Sequence, residues 1–296
     1  MSIYSYEVFD TVVKTGSFLK ASEELHLSPS AVSHSIARLE EQFQVRLFNR
    51  SHNQISLTAA GERLHPYIQG VMHQEIRLQQ EAIYLHGEAI GSVRFGTPNS
   101  VCRTWVPEMI RSFQRRFPGI EVKIAEGTYD HLLEWVRMQS VDIAILPYEI
   151  LPDPNLILLH EDQVLCVAPA DFRPVNGSFV TAEDLCNNPF IHFTGRNNPE
   201  TERFLKTNNI EVGDGFSVED AFTLVTMVEC GFGLGILTEI TARGIDKNVQ
   251  YFPMHPDSHR TLGLLEVDPE YETRAVRLFR DHVKEYLTDI GEAELL

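Results

Sequence analysis

The chain has 296 residues, 43% of them hydrophobic, and a formal net charge of −17. That is enough chain for two or three cores, and the composition excludes a disordered, repetitive or low-complexity protein. No apolar run is long enough to cross a bilayer, and the opening residues carry Glu7 and Asp10 without an apolar core, so neither a membrane span nor a signal peptide is expected. The four cysteines (Cys102, Cys166, Cys186, Cys230) lie far apart with no Cys-x-x-Cys pair, as expected of reduced thiols, mostly core residues, in a cytoplasmic protein. The acid is unevenly spread: net −1 over residues 1–61, −2 over 62–90 and −14 over 91–296. Between Gln42 and Gly61 the charged residues are Arg46 and Arg50. A nucleic-acid surface on this chain is therefore small, local and N-terminal, on a body that repels phosphate.

Ile3, Tyr6, Phe9, Val12 and Val13 have helical spacing, and Gly16 suits the residue just past the helix end. Ser17 reads as the N-cap of a second helix that buries Phe18, Ala21 and Leu25. After a break at His26-Leu27, Ser28 caps a third helix with Pro29 at its first position, where a missing N–H costs nothing. That helix buries Val32, Ile36, Leu39 and Phe43 and shows Ser30, Ser33, His34, Ala37, Arg38 and Glu41. Two short helices on a tight turn predict a helix-turn-helix, whose second helix enters the major groove. Pro29, Ser30, Ser33 and His34 are the residues expected near base edges, with Arg38 further along on phosphate. Taken alone, these serines and the histidine are better explained by a plain solvated face, since both residue types are common on helix surfaces. Two short alternating segments around Ser51-His52-Asn53 predict a β-wing, with Arg46 and Arg50 on the DNA backbone. One of these arginines is alternatively a structural partner of Glu40 or Glu41.

The run from Gly16 to Gly61 resembles the winged helix-turn-helix of LysR-type transcriptional regulators. The resemblance rests on Gly16-Ser17-Phe18, Ala21, Leu25, Ser28, Ala31-Val32-Ser33, Ile36, Leu39-Glu40, Leu47-Phe48, Arg50, Leu57-Thr58 and Ala60-Gly61, all in register. Gln44 departs from it, because the family usually has glycine at this helix exit, and a left-handed glutamine is strained. Thr58 then caps a long helix to about His86. Leu64, Ile68, Val71, Glu75, Leu78, Ala82 and Leu85 form a heptad seam on it. The alternative is a helix packed on its own domain; with nothing else in 62–90 to cover that stripe, a dimerising coiled coil is the better reading, and the resemblance implies an antiparallel pair.

From Gly91 on, strand-length apolar segments alternate with helical ones, which predicts an α/β domain with parallel sheets covered by helices on both faces. There are too many strands for one compact sheet, so two lobes are expected. The resemblance, carried here more loosely by Gly91–Gly96, Phe113–Pro118, Val141–Ala144 and Val228–Leu237, implies a periplasmic-binding-protein-like effector domain. The expected organisation is a winged helix-turn-helix over 1–61, a linker and dimerisation helix over 62–90, and an effector-binding domain over 91–296. Within the last, lobe I is 91–162 and 266–296 and lobe II is 163–265.

Ligands of open α/β sheets sit at carboxyl ends of strands near helix N-termini. That rule selects the loops holding Asn99, Ser100, Val101, Cys102 and Arg103, then Thr128, Tyr148, and Thr194 with Arg196; Glu219 lies at another strand end. In the family, positions matching Ser100 and Thr128 commonly face the effector, and helix capping explains either residue as well. The expected effector is a small polar anion, held by Asn99, Ser100 and Thr128, the helix N-terminus near Thr104, and Arg103 and Arg196. The acidity of the domain argues instead for a cation or neutral molecule held by Glu126 or Glu219. Gly231-Phe-Gly233-Leu-Gly235 lacks the flanks of a nucleotide loop and reads as a helix-to-strand turn. No metal-ligand spacing, cofactor motif or catalytic constellation stands out, and no metal or cofactor is expected. The expected protein is a DNA-binding regulator, not an enzyme, working as a homodimer or homotetramer on a palindromic operator under a small-molecule effector. An enzyme with an N-terminal interaction module and a solute-binding protein are the rival classes.

Overall fold

The computed structural model describes residues 3–51, 54–85, 90–194, 199–213, 215–269 and 272–293, without the side chains of 50, 51, 54, 80, 81 and 83–85. The chain divides into Met1–Ile90 with Glu134–Val141, and Gly91–Leu133 with Asp142–Leu296.

In the first unit, α1 (Ile3–Thr15), α2 (Phe18–Glu24) and α3 (Pro29–Phe43) form where the capping signals fall. Ser17 and Ser28 accept the N–H groups of Lys20 and Ala31, and Gly16 closes α1 at φ +61°. Phe9, Val12, Ala21, Val32, Ile36 and Leu39 make one core with Leu47 and Phe48. The wing is an antiparallel pair, β1 (Phe48–Ser51) and β2 (Gln54–Leu57), with Phe48 opposite Leu57. Thr58 donates to the Arg46 carbonyl at 2.6 Å and accepts the Gly61 N–H at 3.0 Å, tying the wing to the start of α4 (Ala59–Leu85). A Cβ at Gly61 would lie 2.3 Å from the Leu47 carbonyl oxygen, so this junction admits no side chain.

Gln44 does take the left-handed conformation, φ 55° and ψ 31°, and the turn keeps its glycine-type geometry without glycine. Because an L-residue pays about 1–2 kcal/mol there, Gln44→Gly should stabilise the N-terminal unit by about 0.5–1 kcal/mol net of glycine's unfolded-state entropy. Thermal melting followed by helix circular dichroism measures this. A variant melting below wild type would mean the turn is not left-handed in solution.

The heptad seam on α4 needs correction. Ile68 is buried in the N-terminal core, with Leu64 and Met72 packed against it, because α1 covers this stretch of the helix. Among the described side chains, the large apolar ones left exposed on α4 are Tyr67, Val71, Ile76 and Leu78. Leu85 lies outside the described side chains.

The second unit is built on one seven-stranded sheet in the order β10-β6-β11-β5-β3-β4, with β9 also on β6. Its strands are β3 (Gly91–Pro98), β4 (Ile120–Gly127), β5 (Ile143–Pro147), β6 (Ile157–Pro169), β9 (Gly235–Thr238), β10 (Val249–Pro253) and β11 (His259–Glu266). The parallel arrangement expected from the sequence holds for β3 with β4 and β5, and for the short pair β7 (His192–Phe193) and β8 (Ser217–Val218). The other strand pairs of the sheet are antiparallel, because β6 and β11 run between the lobes in opposite directions. β6 pairs with β11 up to Gln163 and with β9 from Val164, so a single strand serves both lobes.

Phe95, Trp105, Met109, Phe113, Leu264 and Phe279 fill the lobe I core, under α6 (Val106–Arg116) and α12 (Arg274–Asp289); Leu264, expected in lobe II, packs in lobe I because β11 pairs with β5. In lobe II, Val164, Cys166 and Ala168 of β6 face a core with Phe190 and Phe204, while Val167 faces another with Leu224 and Val228 of α10 (Ala221–Glu229). Thr181 and Asp184 form the expected capping box at α8 (Ala182–Cys186). Gly231 and Gly233, at φ +80° and +148°, make the turn from α10 to β9. All four cysteines are free, but Cys186 and Cys230 are exposed, against the expectation that most sit in the core.

Candidate DNA interface and effector site

Pro29, Ser30, His34 and Arg38 are exposed along α3, and Ser33 is half-buried. Ser30 Oγ lies 2.9 Å from the capping hydroxyl of Ser28, so the N-terminus of the helix presents two linked hydroxyls. Glu40 is buried; it accepts the Leu47 N–H at 2.8 Å, and Arg46 Nη1 donates to it at 3.3 Å. Arg46 is thus the arginine paired with Glu40, yet its side chain is 76% exposed and presents charge to solvent beside the wing. Arg50 lies in β1, and its side chain is outside the described ones.

In the second unit, the helix expected near Thr104 begins earlier: α5 (Asn99–Thr104) starts directly at the end of β3, and Trp105 separates it from α6. The helix N-terminus therefore falls at Asn99 and Ser100, not at Thr104. Asn99 donates to Glu126, and Cys102 faces the same carboxylate; burial, with Glu126's charge behind it, pushes that thiol up. Arg103 is turned onto the backbone carbonyls of Thr241 and Arg243. Val101 is buried in the lobe I core. Thr128 is half-buried, and its hydroxyl accepts the His131 N–H at 3.4 Å. Tyr148 and Glu219 are exposed, Thr194 bonds the Val218 carbonyl, and Arg196 lies outside the described residues. These candidates do not converge on one point.

What does converge is a buried network around Arg260, a residue sequence reasoning missed. Arg260 is 1% exposed. Its Nε donates to Asp162 at 2.6 Å, its Nη1 to the Tyr129 hydroxyl at 2.7 Å and its Nη2 to Ser100 Oγ at 2.9 Å. Asp162 also accepts the Ile240 N–H at 2.9 Å. The Tyr129 hydroxyl in turn donates to Glu200 Oε1 at 3.3 Å. Ser100 and Tyr129 belong to lobe I, Glu200 to α9 (Pro199–Thr207) of lobe II, and Asp162 and Arg260 are opposite residues on β6 and β11, the strands that join the lobes. Burial pushes the Tyr129 hydroxyl far up against the opposing pull of Arg260. Ser100 is the one sequence-selected residue inside the network. Among the described residues, no group of His, Cys, Asp and Glu could hold a metal ion.

A helix-turn-helix joined by a long helix to a two-lobed α/β domain, with a buried polar network drawn from both lobes, defines the class of ligand-responsive DNA-binding regulators. The sequence matches the family model for the bacterial regulatory helix-turn-helix protein of the lysR family over residues 3–62, and that for the LysR substrate binding domain over residues 86–288. The chain belongs to the LysR family of DNA-binding transcriptional regulators. It is 27% identical to the HTH-type transcriptional regulator YvbU of Bacillus subtilis, over 96% of this chain and 98% of that one. Its fold is like that of full-length OxyR from Pseudomonas aeruginosa (TM-score 0.68, 20% identity, 96% and 94% of the two chains). It is equally like full-length CbnR in complex with its target DNA (TM-score 0.68, 17% identity, 97% and 100%). No helix among the described residues is long and apolar enough to cross a membrane.

Proposed function

We propose that this regulator binds a palindromic operator as a homo-oligomer in the cytoplasm, acting by binding and not by catalysis. A small molecule between the two lobes of 91–296 alters the placement of its DNA heads. The observation that carries the effector half is the Arg260 network: a polar cluster drawn from both lobes and from both joining strands senses how the lobes close. For the DNA half, the exposed polar face of α3 supports base contacts by Ser30, Ser33 and His34, with Pro29 at the close approach. Arg38, Arg46 and Arg50 neutralise phosphates. The Tyr67, Val71, Ile76 and Leu78 surface of α4 supports self-association, which a two-fold DNA site requires.

The test is binding to a selected operator at several salt concentrations. Arg46→Ala should weaken binding to all sequences alike and lower the salt slope by about 0.9 per lost phosphate contact. Ser33→Ala or His34→Ala should change sequence preference instead, by about 1–3 kcal/mol at one base pair. Wild-type behaviour in all three variants would overturn this docking.

A further inference from the structure

The buried network holds more acid than it can satisfy. Asp162, fully buried, already neutralises Arg260 at 2.6 Å. Glu200 is a second carboxylate in the same cluster, 3% exposed, and its Oε2 atom is buried with no hydrogen-bond partner. The guanidinium does not serve it: its hydrogen bonds run to Asp162, Tyr129 and Ser100, and Oε2 is left without one. Arg203, the next cation, attracts Glu200 at longer range but makes its contacts with Glu149 at 3.4 Å and the His259 carbonyl at 2.6 Å.

We propose that the interlobe site receives an ammonium or amine group donated to Glu200 Oε2, so that the effector is a small amine-bearing molecule. The proposal rests on the reading of the cleft as the effector site. A bare carboxylate ligand would add a fourth anion to Asp162, Glu200 and Glu149, which already outnumber Arg260 and Arg203, in a place where water screens little. An N–H donor supplies the missing partner and cancels the surplus charge together. Protonating Glu200 is a poorer remedy, because an Oε2–H group would be a donor still lacking a partner. Burial does push this carboxyl above its ordinary range, with Arg260 opposing, as expected of an acid short of positive charge. In the same network Ser100 keeps its own hydroxyl proton to donate while accepting from Arg260, so a polar acceptor on the ligand also has a partner.

Three probes of different charge test this on the full-length protein: ethylammonium chloride, L-alanine and sodium acetate, each titrated by calorimetry and by thermal shift of tryptophan fluorescence. Ethylammonium and alanine should bind and raise the melting temperature, and acetate should not. Glu200→Gln, which keeps the shape and removes the charge, should melt no lower than wild type unliganded. It should bind ethylammonium about ten- to a hundredfold more weakly, the value of a charged hydrogen bond. Acetate binding that Ser100→Ala weakens, with ethylammonium silent, would overturn the amine while keeping the cleft. Ethylammonium binding unchanged in both Ser100→Ala and Glu200→Gln would place the ligand outside the cleft and overturn both. The charge series on the wild type decides the sign even if a variant fails to fold.

Discussion

Arg260→Met should destabilise the second unit by about 3–5 kcal/mol, the cost of stranding one member of a buried ion pair. Asp162 is 0% exposed and would keep the Ile240 N–H as its remaining donor, while Tyr129 and Ser100 would each lose the donor that fixes them. Methionine fills much of the volume, so the loss is electrostatic and not a cavity effect. Asp162→Asn added to Arg260→Met should recover part of the loss, because a neutral amide is easier to bury alone than a carboxylate. Trp105 lies in the core of the second unit and Trp135 in the first, so urea unfolding followed by fluorescence in a Trp135→Phe background reports on the second unit. A single variant within about 1 kcal/mol of wild type would show that Arg260 is not the anchor of the network.

Asp10→Ala should destabilise the first unit by about 2 kcal/mol, with the loss visible in helix circular dichroism. Asp10 is 3% exposed in α1 and ties that helix to α4, with His65 Nε2 at 2.9 Å and Gln69 Nε2 at 3.1 Å, while Lys14 Nζ sits 2.6 Å away. Burial pushes its carboxyl up, but the hydrogen bonds from His65, Lys14 and Gln69 and the charge of Lys14 outweigh it and hold the value at about 2 against an ordinary 3.8. An acid held down in the folded state binds its proton first in the unfolded one. Its contribution is therefore fully present above the ordinary value and is lost as pH falls through about 2. The stability gap between wild type and Asp10→Ala should accordingly narrow by about half between pH 5 and pH 3. A gap that widened with acid would reverse the assignment.

The Arg260 network is hard to read in the sequence. Its members, Ser100, Tyr129, Asp162, Glu200 and Arg260, are scattered along 160 residues of chain and fall in five different elements. Each has an ordinary local reading: a helix start, a residue after a turn, two polar residues in strands, an acid in a first turn. The strand-end rule reached Ser100 and stopped one residue short of Tyr129. It had no means of finding Asp162 and Arg260, which sit within strands and meet because β6 and β11 pair antiparallel with these two positions opposite. The same register explains the mixed sheet. Local alternation of strands and helices suggested parallel pairing, and the crossing of two strands between lobes made most of it antiparallel.

Locally encoded features came through from the sequence itself. The caps Ser17, Ser28, Thr58 and Thr181, the closing turn at Gly16, the wing pairing and the buried face of α3 depend on groups within a few residues of each other, and short-range hydrogen bonding and helical period fix them wherever the chain goes. The in-register landmarks of residues 16–61 likewise carried the family. What required the tertiary structure was every choice between partners of equal local merit. The stripe on α4 fits a second copy or its own α1, and α1 takes Leu64 and Ile68 because it is tethered beside them by the chain. Arg46 suits phosphate or Glu40, and the fold brings Glu40 to it because the same carboxylate must satisfy the N–H groups of Leu47 and Phe48. Charge and hydrophobicity state what a side chain needs, and the geometry of distant segments decides which neighbour supplies it.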